Sequence, residues 1–173
     1  MELRSEGDVD RAEELVGEAA LQAIKALRRL PADPNGALYA LKFTAYGRHP
    51  LEPRALNLIE QLNQTFTILA SLRAARLLLG WHPEVGGLLV RPSNLSGRDV
   101  ESLRPGLVEA EVFAAVNPRN NNKLNKDLEK LTRSTARHKY VFFHSPGYEE
   151  RRQPSLEKSD IQVWSVAVKG DPA

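Results

Sequence analysis

The sequence predicts an α/β fold of the α+β kind, a mixed sheet with helices on it, on three observations. An apolar helical pattern fills residues 54–79. Three short runs between 87 and 116 are joined by turn residues, which predicts an antiparallel meander. A helical run over about 123–134 then precedes a fourth apolar run at 139–144. That helix allows the fourth strand to lie parallel to the third.

Ahead of this core, residues 8–30 read as a helix. Asp8 or Asp10 can cap it, and Ala12, Leu15, Ala19, Ala23, Leu27 and Leu30 recur at helical spacing. Pro31 and the Asp33-Pro34-Asn35-Gly36 turn end it. Residues 37–46 are apolar and read equally as helix or strand, and Gly47, Pro50 and Pro53 make a loop. In 54–79 apolar groups cover most of the circumference, which predicts a buried helix. A narrow polar stripe of Glu60, Gln64, Thr67 and Ser71 runs along it. Those four side chains point the same way, as a hydrogen-bond ladder or as one wall of a site.

Strands are predicted at 87–90, at 99–103 and, after the Pro105-Gly106 hairpin turn, at 107–116. In the third, Val108, Ala110, Val112, Ala114 and Val116 line one face. Leu107, Glu109, Glu111, Phe113 and Ala115 line the other. Asn121 or Asn122 can cap the next helix, whose Leu124, Leu128 and Leu131 share a face. Residues 145–159 read as a loop and 161–168 as a last strand. The expected organisation is a single domain over 1–173, with a helical extension at 8–53, a core at 54–145, and a loop and last strand at 146–173.

The 173 residues are 42% apolar and 27% charged, enough for one ordinary core. No apolar run is long enough for a transmembrane helix, and the N-terminus lacks the apolar stretch of a secretory signal. There is no cysteine, which excludes disulfides, thiolate metal sites and cysteine nucleophiles. A cytoplasmic protein with no membrane partner is expected. The net charge of +2 is uneven. Residues 1–18 carry seven acids against Arg4 and Arg11, so the first helix is a candidate partner-binding or homodimer element. Residues 117–139 carry Arg119, Lys123, Lys126, Lys130, Arg133, Arg137 and Lys139 against Asp127 and Glu129. This segment is either a solvated face or a surface for a polyanion.

Glu109 and Glu111 are the unusual residues. Glutamate is a poor strand former, and two carboxylates about 6–7 Å apart on one face of an apolar strand repel each other. A divalent ion such as Mg²⁺, which takes a few carboxylates plus waters, would relieve that repulsion. Pairing about Pro105-Gly106 brings Asp99 near the Glu109–Glu111 segment, and Glu60 can approach from the apolar helix. The alternative is ordinary ion pairing, of Glu109 with Arg104 or of Glu111 with a lysine of the following helix.

The stretch Gly97-Arg98-Asp99-Val100-Glu101, followed by Leu107-Val108-Glu109-Ala110-Glu111-Val112-Phe113, sits in an order of elements that resembles the restriction-endonuclease-like fold of the PD-(D/E)XK nuclease superfamily. The resemblance covers residues 54–145 and implies an αβββαβ core with an extra N-terminal helix. It assigns Asp99 to the second-strand Asp of the family, Glu109 to the acid that opens the third-strand motif, and Glu60 to the glutamate of the first core helix. No proline directly precedes Asp99, and Glu111 stands where the family places its lysine. In the other register Glu111 is the acid and Phe113 stands at the lysine position. Lys123 and Lys126 are then candidates for a lysine that has moved to the next helix.

What the resemblance implies is a divalent-metal-dependent nuclease-like protein that hydrolyses or binds the phosphodiester backbone of DNA or RNA. Mg²⁺ or Mn²⁺ would be held by Asp99, Glu109, Glu111 and Glu60, and nucleic acid by Arg119, Lys123, Lys126, Lys130 and Arg133. The alternative is a non-catalytic member of the same fold that binds nucleic acid or a partner protein.

Overall fold

The computed structural model describes residues 1–91 and 97–171. In chain order its elements are β1 (Glu2–Leu3), α1 (Glu6–Leu27), α2 (Pro34–Phe43), β2 (Gly47–Arg48), β3 (Ala55–Leu56), α3 (Leu58–Trp81), β4 (Leu88–Val90), β5 (Val100–Ser102), β6 (Val108–Ala114), α4 (Lys123–Thr132), β7 (His138–His144), β8 (Arg151–Arg152) and β9 (Ile161–Ser165). This is a mixed α/β protein with a mixed sheet and, among the described residues, four α-helices. The chain forms two compact units. One is Met1–Val9 together with the chain from Thr67 onward, and the other is Asp10–Phe66.

The larger unit is built on a sheet in the order β1-β4-β5-β6-β7-β9-β8. The strands β4, β5 and β6 form the antiparallel meander that the alternation and turn residues predict. Strand β7 lies parallel to β6, in register from Val108 opposite His138 to Ala114 opposite His144, and β9 lies parallel to β7. The crossover between β6 and β7 is α4. Its Leu124, Leu128 and Leu131 bury against Phe113, Val141, Phe143, Ile161 and Val163 on one face of the sheet. On the opposite face the Trp81 ring, at the end of α3, lies 4.7 Å from Trp164, 5.8 Å from Tyr140 and 6.1 Å from Phe142, centre to centre. The edge strands β1 and β8 are two residues each, too short to show any periodicity in the sequence.

Several boundaries differ from the sequence reading for local reasons. Of residues 37–46, those up to Phe43 resolve as part of helix α2, and Thr44 ends it in extended conformation. Asp33 accepts a hydrogen bond from the Gly36 amide at 2.7 Å, and Pro34 takes a first-turn position. The apolar helix starts at Leu58 instead of residue 54, because Ala55–Leu56 pairs with Gly47–Arg48. The intervening turn closes on buried His49, whose Nδ1 accepts from the amides of Leu51 (3.2 Å) and Glu52 (3.0 Å). Before α4, Asn121 and Asn122 hold φ of 54° and 55°. Asparagine tolerates that left-handed region. Asn122 occupies the cap position without a side-chain cap bond, and accepts from the Asn125 side chain instead.

The smaller unit corrects one expectation. The helix over 54–79 is not buried all round: Ile59, Leu62 and Phe66 are exposed, as are Ile24 and Leu27 of α1. These side chains line an open groove of about 250 Å³ together with Leu41 and Leu58. A helix apolar on every side is covered only where an element packs on every side. Within this unit the buried Gln61 is a polar tie. It donates to the Ala19 carbonyl (2.9 Å) and accepts from the Arg48 amide (2.9 Å). Gln61→Leu leaves that amide unpartnered and is expected to cost about 1–3 kcal/mol, read as a lower midpoint in urea unfolding.

Candidate functional site

The register that places Glu101 opposite Glu109 and Val100 opposite Ala110 puts Asp99 beside Glu111 at the next step along the ladder. Asp99 accepts a hydrogen bond from the Val112 amide at 2.8 Å. The fully buried Glu111 accepts from Lys130 Nζ (2.9 Å) and from the Arg98 guanidinium (3.3 Å). The same guanidinium donates to Glu109 at 2.6 Å, so one arginine bridges the two strand glutamates. The fully buried Asp127 comes in from α4 and pairs with Lys123 (2.8 Å) and Lys130 (3.8 Å). Four acids and three bases thus interlock, with Glu111 and Asp127 deepest.

A cavity of about 370 Å³ opens beside this cluster. Its walls include Asp99, Arg91, Thr67 and Ser71, residues 112–115, and Asn120, Asn121, Lys123 and Lys126. The lower half of the polar stripe on α3 is therefore a cavity wall, and Ser71 Oγ also donates back to the Thr67 carbonyl (2.9 Å). Arg91 is held against Glu101 (2.7 Å) and its amide donates to the Asp99 carbonyl (2.8 Å). Gly97, at φ 124°, lets the chain pass this guanidinium, since a Cβ there would stand 3.3 Å from it in a conformation that L side chains rarely adopt.

Burial is the main force on these carboxyls. It pushes Asp99 up from its ordinary value to about 6, the charge of Glu111 adds to that, and the Val112 hydrogen bond and Lys123 oppose it. Burial likewise raises Asp127, against its hydrogen bond from Lys123. Asp127 Oδ2 is buried with no hydrogen-bond partner. Among the described residues, however, Asp99, Glu111 and Asp127 do not bring three ligand atoms within 4.8 Å of one another, and both Glu111 oxygens are taken by Arg98 and Lys130, so the carboxylates as placed do not form the Mg²⁺ or Mn²⁺ site that the resemblance implies.

The expected site residues are distributed unevenly. Asp99, Lys123 and Lys126 line the cavity. Glu111 lies in the cluster behind it, and Glu109 is drawn off to Arg98 rather than to Arg104. Glu60 is not among the cavity-lining residues. It sits in the first turn of α3, where Asn57 caps its amide (2.8 Å) and Arg54 faces its carboxylate (3.7 Å). An acid in that position complements the helix N-terminus. Arg119, Lys126 and Arg133 are exposed, while Lys130 is tied to Glu111. Arg98 and Asp127 were not anticipated. The signal for Asp127 was present, since 124, 127, 128 and 131 form one helical stripe and an aspartate interrupts its three leucines.

Compared with protein-family models, with curated proteins and with solved structures, the chain matches none. Among the described residues no helix is long and apolar enough to cross a membrane.

Proposed function

We propose that the protein is a divalent-metal-dependent nuclease-like protein of the restriction-endonuclease-like fold, acting on the phosphodiester backbone of DNA or RNA. The observation that carries this reading is the position of Lys123. Its Nζ, delivered from α4, lies 6.0 Å from the ring centre of Phe113, the residue at the third-strand lysine position when Glu111 is taken as the acid. The helix-borne lysine thus reaches the same neighbourhood, on the wall that Asp99 shares. The order α3-β4-β5-β6-α4-β7 further supports the reading, since it matches αβββαβ.

In this scheme Asp99, with Glu111 once freed from Arg98 and Lys130, would hold the ion, which would supply charge neutralisation at phosphate and activation of water. Lys123 Nζ stabilises charge developing on the phosphate oxygens. Asn120 and the left-handed Asn121, just before α4, donate to phosphate or base edges. Purified protein is expected to hydrolyse single- or double-stranded DNA or RNA with Mg²⁺ or Mn²⁺. Hydrolysis that persists in the Asp99→Asn, Glu111→Gln double variant, free of contaminating nuclease, overturns the assignment.

A second reading rests on Arg98 and Lys130, which together engage both Glu111 oxygens. In that reading the cluster is self-neutralised, and the protein binds nucleic acid without cutting. Binding that needs no divalent ion and survives Asp99→Asn selects it.

Backbone binding is assigned to the exposed cations. Neutralising Arg119, Lys126 and Arg133 together should weaken binding to every sequence alike. It should also reduce the slope of log affinity against log salt by about 2–3, nearly one per lost contact. Lys123 and Lys130 are excluded from that test because each holds a buried acid. An unchanged slope identifies this face as solvated surface.

A further inference from the structure

We propose a second metal site, made by His82, Glu84 and His138, that takes a zinc-class divalent cation. Among the described residues these three form the one group whose ligand atoms all lie within 4.8 Å of one another. The two imidazole ring centres lie 4.4 Å apart, with the rings tilted by 34°. His82 Nδ1 stands 3.4 Å from Glu84 Oε1. That is close to the edge of a tetrahedron with metal–ligand bonds of about 2.0–2.1 Å, roughly 3.4 Å, so this pair already has ligand spacing. The third ligand atom, on His138, lies within 4.8 Å of the other two, and a turn of its ring would close the set.

The surroundings suit imidazole ligation. His82 Nε2 is 2.8 Å from the buried Tyr140 hydroxyl. When that hydroxyl accepts from Nε2–H, the Nδ1 lone pair lies on the Glu84 side, the tautomer that ligation requires. Two nitrogens and one carboxylate favour zinc over magnesium, which prefers an all-oxygen shell. Three protein ligands would leave a fourth position for water, and Glu84 is exposed. The ion would join the turn after α3 to the first residue of β7.

The test is calorimetric titration of chelator-stripped full-length protein with zinc chloride, with magnesium chloride as the control. The expected result is one zinc per chain and no displacement by magnesium. Glu84→Gln weakens binding at least tenfold and His138→Ala abolishes it. Tyr140→Phe weakens it about tenfold or more through the lost outer contact. Asp99→Asn leaves the isotherm unchanged, which separates this site from the acid cavity. Cobalt substituted for zinc should give the visible absorption of a four-coordinate nitrogen–oxygen site. Because Glu84 is exposed, Glu84→Gln reports even if a histidine variant fails to fold. No zinc binding, binding that ignores Glu84→Gln, or binding lost with Asp99→Asn overturns the proposal.

Discussion

Asp99→Asn is expected to make the metal-free protein more stable at pH 7.5 while removing divalent-dependent hydrolysis. The folded protein holds the Asp99 carboxyl near 6, against 3.8 for the free side chain. A group raised on folding binds its proton more tightly in the native state. Its stabilising contribution is complete below about pH 4 and is lost as pH rises through 6. Above that range the buried carboxylate is ionised at a cost of about 3 kcal/mol, at roughly 1.4 kcal/mol per pH unit. Asparagine keeps the acceptor for the Val112 amide and removes the charge. For a chain of this size about 3 kcal/mol corresponds to roughly 6–12 °C in melting temperature. The difference between variant and wild type should vanish near pH 4 and reach its full value above pH 7, because other titrating groups are common to both. Mg²⁺ should raise the melting temperature of the wild type at pH 7.5 and leave the variant unmoved. A variant no more stable than wild type at pH 7.5 would show that Asp99 carries no buried charge.

The core strands were legible because one face of each is apolar and period two is strict. In 107–116 the alternation separates Val108, Ala110 and Val112 from Glu109, Glu111 and Phe113, and the structure buries the first set on one face and Glu111 and Phe113 on the other, with Glu109 half-buried. Helix α4 was legible through its leucine stripe. The strands β1 and β8 were not, because a two-residue ladder is fixed by its neighbour and not by its own pattern. Leu3 is buried only because β4 lies beside it. The exposed stripe Ile59, Leu62 and Phe66 was also illegible. Hydrophobicity states which side chains would gain from burial and not whether an element is there to cover them.

At the site, register made Asp99 legible from the hairpin turn. The pairing of the acids was only partly so. A lysine of the next helix does meet Glu111, but the arginine that bridges both glutamates is Arg98, adjacent in sequence to Asp99 and outside any strand. Glu60 shows the opposite error. It shares a stripe with Thr67 and Ser71, which line the cavity, yet it lies about two turns from the first and about three from the second. Its position is explained by the first turn of α3. The histidines at 82 and 138 could not be paired in advance, since their proximity depends on where α3 ends relative to the sheet.

Lys123→Met is expected to lower both stability and hydrolysis, and a second substitution separates the two losses. Lys123 supplies the 2.8 Å partner of the fully buried Asp127, leaving only Lys130 at 3.8 Å when it is removed. A buried acceptor stripped of its partner costs about 1–3 kcal/mol, and more when it is charged. Asp127→Asn in the same chain removes the stranded charge and should restore much of that loss. The two substitutions are therefore non-additive in urea unfolding. If Lys123 served only to neutralise Asp127, hydrolysis would return with stability in the double variant. In the proposed scheme Lys123 also acts on the phosphate, so hydrolysis stays lost although the fold has recovered. Lys126→Met is the control. It lines the same cavity and is exposed, so it should leave stability unchanged and weaken nucleic-acid binding. Recovered cleavage in the Lys123→Met, Asp127→Asn protein would move Lys123 from the chemistry to the scaffold, and Lys126 would become the remaining helix lysine able to face the phosphate.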